Sequence, residues 1–179
     1  MNWMGIRVVK YEQDLIAQQE IMWRVKPNIV IETGTRFGGS ALFYAQMMDL
    51  MKINGVVYTI DISDQEYKAI PVHDKVERII GSSLSVNVLE GIEKLIRDHS
   101  DPRVMVVLDS DHTTEFVTQE IAAYQGFVTK GSYLVVEDTN QLGPRLAVFA
   151  FLAMHPEFNP DKTIEPSITT NPNGYLLRS

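Results

Sequence analysis

Two short acidic runs carry most of the chemistry this chain can offer: Asp109-Ser110-Asp111-His112 and Glu137-Asp138, each directly after a run of apolar residues. If those runs are neighbouring strands, four carboxylates converge on one mouth, and like charges at such distances repel unless a cation or protons intervene. A divalent cation is the simpler answer. The chain has no cysteine, so metal ligands must be oxygen or imidazole, and an oxygen-rich set favours Mg2+, Mn2+ or Ca2+ over zinc. The candidate ligands are Asp109, Asp111, Glu137 and Asp138. The choice between Asp109, which ends its strand, and Asp111, two residues later, stays open at this level.

A second constellation follows an earlier apolar run: Glu32-Thr33-Gly34-Thr35-Arg36-Phe37-Gly38-Gly39-Ser40. Glycines at a strand-to-helix turn let the backbone pass close to a ligand. The spacing is not the G-x-G-x-x-G of dinucleotide folds, so a pyrophosphate finds a poorer cradle here. Asp61 ends the next apolar run, where a carboxylate can accept hydrogen bonds from both ribose hydroxyls of an adenosine group.

The elements that must position these residues alternate. Strands are expected at 28–33, 56–61, 77–81, 103–109 and 133–137, too continuously apolar to have one solvated face. Between them lie helices at 39–52, 84–98 and 114–127; in the second, Leu84, Val88, Ile92 and Leu95 recur at helical spacing. A further helix at 12–25 stops at Lys26-Pro27. Such alternation implies a doubly wound, mostly parallel α/β sheet, Rossmann-like, whose ligands bind beyond the carboxyl ends of its strands. After Gly143-Pro144 we expect a helix at 145–155, a strand at 163–168 and a short strand at 174–177, closing the sheet with an antiparallel hairpin. Met47, Met48 and Met51 read as core.

The 179 residues read as a single domain, 1–179, with an N-terminal helical segment at 1–27. Sixteen Lys and Arg against 23 Asp and Glu give a net charge of −7, which argues against nucleic acid as the main partner. No apolar run approaches the ~20 residues that span a bilayer, and residues 1–10 lack the order of a signal peptide, so a cytoplasmic protein without a membrane partner is expected. Neither a G-x-S-x-G elbow nor a P-loop is present, which lowers hydrolase and nucleotide-triphosphatase readings.

The spacing Glu32, Gly34, Gly38-Gly39-Ser40 before an apolar helix resembles the first motif of class I S-adenosylmethionine-dependent methyltransferases, in their catechol O-methyltransferase-like branch. Lys26-Pro27, Leu108-Asp109-Ser110-Asp111-His112, Glu137-Asp138-Thr139 and Asn173-Gly174-Tyr175-Leu176 are similar, more narrowly, to the cephalosporin hydroxylase family, which is linked to methyl transfer despite its name. The resemblance runs over residues 3–178. It implies that Glu32, Gly34, Thr35, Gly38, Gly39 and Ser40 surround the methionine end of S-adenosylmethionine, that Asp61 holds the ribose, and that Ser82-Ser83 lie beside the adenine. It also implies a Mg2+, or another divalent cation, that holds the acceptor hydroxyl, with Asp109 beside both cofactor and acceptor, and a homo-oligomer. His112 falls where catechol-type enzymes carry a basic catalytic residue, a hydrogen-bonding spacer being the alternative. Ser82-Ser83 could equally cap the helix from Leu84. The expected function is metal-assisted O-methylation of a small hydroxylated molecule, a natural product or a sugar-like acceptor. Two competitors stand beside it: a nicotinamide-dependent oxidoreductase, which the glycine spacing and the acids fit poorly, and a non-catalytic S-adenosylmethionine-binding protein.

Overall fold

The chain opens with a small hairpin, β1 (Asn2–Trp3) and β2 (Ile6–Arg7), which the sequence pattern did not announce. Helix α1 (Glu12–Val25) follows and ends at Lys26, held in the left-handed conformation at φ 51° with its N–H donated to the Met22 carbonyl. Pro27 allows no further turn. Then come β3 (Ile29–Thr33), α2 (Gly39–Leu50), β4 (Val56–Asp61), β5 (Val76–Ile80), α3 (Val86–Arg97), β6 (Val104–Leu108), α4 (Thr114–Tyr124), β7 (Tyr133–Val136), α5 (Leu142–Met154), β8 (Phe158–Pro160) and β9 (Tyr175–Arg178). This computed structural model describes residues 1–63 and 73–179.

The seven strands β3–β9 form one sheet in the order β5-β4-β3-β6-β7-β9-β8, parallel from β5 to β7, with β9 antiparallel to both β7 and β8. That is the expected mostly parallel sheet with an antiparallel close. Each face has its own core. One gathers Leu15, Ile21 and Met22 of α1 with Phe43, Tyr44, Met47 and Met48 of α2. The other gathers Val88 and Ile92 of α3, Val117 and Ile121 of α4, and Val148 and Phe151 of α5. Leu108 and Val106 point to the second core and Val107 and Met105 to the first, the alternation a pleated strand imposes.

Three expectations change. The hairpin partner of β9 is β8, not 163–168: the Asp161 carboxylate accepts hydrogen bonds from the backbone N–H and hydroxyl of Thr163, which turns the chain and leaves Ile164 as a lone buried plug. Helix α5 begins at Leu142, three residues before the expected start, because Pro144 sits in its first turn, where no intrahelical acceptor awaits an N–H. β5 lies at the sheet's edge, and its Glu77 and Ile80 are exposed, so only the inner strands are covered on both faces.

Candidate active site

Strand register builds the site. Thr33 pairs with Ile60 and with Leu108, and Leu108 pairs with Val136, so Gly34, Asp61, Asp109 and Glu137 leave the sheet level with one another. Over this edge lies a cleft of about 570 Å3. Its walls hold Gly34, Thr35, Gly38, Gly39, Ser40, Asp61, Ser82, Ser83, Asp109, Asp111, His112 and Asp138, and also Arg7 to Lys10 of the N-terminal segment.

The acids do not meet as one group of four. Asp138, at φ 53°, turns the backbone sharply, so its carboxylate and that of Glu137 part company. Glu137 goes down between α1 and the sheet, 3% exposed, accepting hydrogen bonds from the side-chain amides of Gln18 and Asn171 (2.6 Å for the latter). Lys10 stands between the clusters: its Nζ lies 2.5 Å from Asp109 Oδ2 and 3.0 Å from Glu137 Oε1, and the side chain is 3% exposed. On the Glu137 side the charge that faces these acids is an ammonium of the chain itself. Desolvation would lower the Lys10 pKa, but Asp109 and Glu137 outweigh it and hold the group well above its usual value. Burial would likewise raise Asp109; Lys10, then His112, hold it below the ordinary carboxylate range. Asp111 turns outward, and its Oδ1 accepts the backbone N–H (2.7 Å) and hydroxyl (2.6 Å) of Thr113 ahead of α4. Of the four expected ligands, Asp109 and Asp138 come together with His112, while Glu137 and Asp111 do not.

At this end of the cleft Asp109, His112 and Asp138 form a cluster whose ligand atoms lie within 4.8 Å of one another. His112 Nε2 sits 3.3 Å from Asp138 Oδ2 and 3.9 Å from Asp109 Oδ1, a buried ring nitrogen with no aligned hydrogen-bond partner among the described residues. Its Nδ1 faces Gln141 Nε2 at 3.3 Å. Asp109 first, then Asp138, raise the imidazole pKa against its partial burial. Burial and the nearby Asp109 charge raise Asp138. The first turn of α5 fixes the loop: a Cβ on Gly143 would stand 2.0 Å from the His112 carbonyl oxygen, so only glycine allows that approach.

On the other side of the cleft, Asp61 Oδ2 accepts the backbone N–H of Arg36 at 2.7 Å, which pins the glycine loop. Gly34, at φ 85°, is demanded by a backbone: a Cβ there would lie 1.9 Å from the Asp109 carbonyl oxygen. Gly39 faces Arg7 and Val8 in the same way, at 2.4 Å from the Arg7 carbonyl oxygen. Thr35 turns its hydroxyl inward to Thr59 (2.7 Å), and Thr59 donates to Glu32 Oε2 (2.8 Å). Glu32 thus lies beneath the loop and outside the cleft wall, fully buried, with Oε1 unpartnered among the described residues; burial pushes it up to about 7, opposed by Lys10 and by hydrogen bonds from Ser40 and Thr59. Ser82 Oγ accepts the Leu84 N–H at 3.3 Å in a turn ahead of α3, whose N-cap is Ser85. Ser83 donates to Glu120 Oε1 at 2.6 Å.

Three contributors were not visible in the sequence. Lys10 and its neighbours sit in a segment without periodicity, and only the fold brings them to the acids. Glu120, on α4, receives hydrogen bonds from Ser83 and from Ser110 (2.8 Å), tying the two sides of the cleft together. Asn171 clamps the second acidic run: its Oδ1 accepts the Asp138 N–H at 2.8 Å while its amide holds Glu137. The turn signal Asn171-Pro172-Asn173-Gly174 was legible, and a leading Asn that bonds nearby backbone fits it; that it reaches another strand's carboxylates was not.

The family described as rhamnosyl O-methyltransferase/CmcI matches residues 1–179. A rhamnosyl O-methyltransferase of Mycobacterium leprae is 33% identical over 190 residues, covering 99% of this chain and 82% of that protein. One of Mycobacterium tuberculosis is 30% identical over 195 residues, covering 99% and 78%. Among solved structures, CmcI with Mg and S-adenosylmethionine superposes with a TM-score of 0.80 at 20% identity, over 100% of this chain and 76% of that one. A TDP-rhamnose 3'-O-methyltransferase of calicheamicin biosynthesis gives 0.63 at 15% identity, over 92% and 78%. At those identities the structural likeness speaks for the fold.

Proposed function

The chain belongs to the rhamnosyl O-methyltransferase/CmcI family, and from that premise we propose that it transfers the methyl group of S-adenosylmethionine to a hydroxyl of a sugar-like small molecule, assisted by a divalent cation. The observation that carries the reading is a single cleft with the glycine loop and Asp61 at one end and Asp109, His112 and Asp138 at the other.

The loop from Gly34 to Ser40 would hold the methionine end of the cofactor, Asp61 the ribose hydroxyls, and Ser82 and Ser83 would border the adenine. Lys10 neutralises Asp109 from beneath, which leaves the Oδ1 side of that carboxylate toward His112 and the cleft. The paired carboxylates of Asp109 and Asp138 fit a cation of the magnesium class. Asp109 and Asp138 would hold it; when bound, it supplies a Lewis acid that stabilises the acceptor's oxyanion. His112, oriented by Gln141, accepts the acceptor's proton at Nε2. Holding the acceptor hydroxyl beside the bound cofactor would supply much of the rate. The competing oxidoreductase has no support in a glycine loop that lacks the G-x-G-x-x-G spacing of a pyrophosphate cradle. The proposal places the enzyme in the cytoplasm; no helix among the described residues is long and apolar enough to cross a membrane.

Titration calorimetry tests the cofactor half. S-adenosylmethionine should bind and NAD should not, and Asp61→Ala should weaken binding, since each ribose hydrogen bond to a charged acceptor contributes about 1.5–3 kcal/mol before water compensates. Unchanged affinity in that variant would remove Asp61 from the site.

A further inference from the structure

The buried face of α1 carries two polar residues where apolar ones would complete the core. Asp14 and Gln18 stand one turn apart among Leu15, Ala17, Ile21 and Met22, and both are fully buried. A carboxylate taken out of water is tolerated only with a full set of donors, and Asp14 has one. Its Oδ1 accepts the hydroxyls of Thr169 and of Tyr175 (2.7 Å), and its Oδ2 accepts the N–H (3.1 Å) and hydroxyl (3.0 Å) of Thr170. Every one of these donors belongs to the segment that carries Asn171. Gln18 serves the same acidic run directly: it donates to Glu137 Oε1 and accepts from the Tyr44 hydroxyl at 2.5 Å.

The direction of these bonds matters more than their number. A carboxylate only accepts, so Tyr175 gives its one proton to Asp14 and offers a lone pair to the Asn171 amide nitrogen, 3.2 Å away. That nitrogen also donates to Glu137 Oε2 at 2.6 Å, which leaves Asn171 Oδ1 facing the Asp138 N–H at 2.8 Å. Thr169, whose hydroxyl donates to Asp14, accepts the Asn171 N–H at 2.8 Å, so the backbone beside the amide hangs on the same carboxylate. Asp138 is the residue whose positive φ turns its own carboxylate toward His112 and Asp109. We propose that Asp14 is a positioning residue for the cation cluster: through Tyr175 it fixes which way the Asn171 amide faces, and thereby where the Asp138 carboxylate stands. Asp14 lies outside the cleft wall, and the proposal rests on the reading of Asp109 and Asp138 as cation ligands. Asp14→Asn keeps the shape and reverses one end of the relay. The Thr170 N–H still requires an oxygen, so the new NH2 faces the hydroxyls of Thr169 and Tyr175. Tyr175 then accepts there and turns its proton toward Asn171, whose amide rotates until its nitrogen meets the Asp138 N–H, donor against donor.

Calorimetric titration of Mg2+ alone into the full chain tests this, with S-adenosylmethionine titrated separately. Asp14→Asn should weaken Mg2+ binding by about tenfold or more and leave S-adenosylmethionine within about twofold. Tyr175→Phe takes out the hydroxyl that relays the reversal, so the double variant Asp14→Asn, Tyr175→Phe should regain about threefold or more of the lost Mg2+ affinity. Removing a second buried hydroxyl restores nothing if Asp14 merely braces the fold. A folded Asp14→Asn with the Mg2+ affinity of the wild type overturns the proposal, and so does a double variant that binds Mg2+ no better than the single one. If Asp14→Asn fails to fold, the wild type decides: in 15N-labelled protein, saturating Mg2+ should shift the nuclear magnetic resonance signals of the Asn171 side-chain amide and the Thr170 backbone amide, and unmoved signals overturn the proposal. A wild type that takes up no Mg2+ overturns the cation reading and this proposal together, whereas Mg2+ uptake indifferent to Asp14 overturns this proposal alone.

Discussion

Replacing Lys10 by methionine keeps the stem and removes the charge. In the folded chain the ammonium is 3% exposed and lies 2.5 Å from Asp109 and 3.0 Å from Glu137, so Lys10→Met leaves buried carboxylate charge without its counter-cation. Deleting one partner of a buried pair costs roughly 3–5 kcal/mol, because the other charge stays desolvated. For a domain of this size 1 kcal/mol moves the melting temperature by roughly 2–4 °C, so a fall of about 10 °C is expected. A divalent cation at Asp109 and Asp138 brings charge of the right sign to one of the two orphaned carboxylates, so 5–10 mM Mg2+ (about the usual assay range) should restore more of the lost stability in the variant than it adds to the wild type. Adding Glu137→Gln should recover part of the loss, since the orphaned charge is then gone. Thermal denaturation with and without Mg2+ measures all three. A loss below about 1 kcal/mol, with no difference in the response to Mg2+, would mean that Lys10 is not the internal counter-cation.

Asn171→Ala removes hydrogen bonds to Glu137 and to the Asp138 backbone and should cost about 3 kcal/mol; kcat should fall at least tenfold while the affinity for S-adenosylmethionine, measured by calorimetry, stays within about twofold. Glu32 has a folded-state pKa raised from 4.5 to about 7, so the folded chain binds that proton more tightly than the unfolded one; the stability it brings is full below pH 4.5 and is lost as pH rises through about 7, by an amount on the order of 3 kcal/mol. Glu32→Gln should flatten the melting temperature across that window, and parallel curves for variant and wild type would contradict this. Gly34→Ala, with its Cβ 1.9 Å from the Asp109 carbonyl oxygen, should fail to fold or lose more than about 3 kcal/mol, whereas Gly131→Ala, also at positive φ but in open space, should cost about 1 kcal/mol.

How much of this was legible depended on range. The apolar strands, their parallel order and the stop at Lys26-Pro27 follow from local pattern, because a strand covered on both faces must be continuously apolar and a proline constrains the residue before it. From those strands alone came the convergence of Gly34, Asp61, Asp109 and Glu137 on one edge. Side-chain direction was less accessible. The positive φ of Asp138 separates two adjacent carboxylates, and an outward turn at Thr113 takes Asp111 away; neither follows from residue type. The roles of Lys10 and Asn171 were out of reach because their partners lie far along the chain, and nothing local marks a lysine or an asparagine as internal. Gly34 and Gly39 were picked out for a close approach to a ligand; the structure adds a close approach to protein backbone at both, which no local pattern announces.

The central claim, metal-assisted methyl transfer, is tested most directly by radiolabel transfer from methyl-labelled S-adenosylmethionine to a rhamnose-bearing acceptor, with Mg2+ present or removed by EDTA. Labelled acceptor is expected with Mg2+, with loss of nearly all transfer on chelation, calorimetric cofactor binding that survives chelation, and the same loss in a folded Asp109→Asn, Asp138→Asn double variant. Transfer at the parental rate in EDTA by that folded double variant would contradict it, and would leave His112 to carry the proton step without a cation.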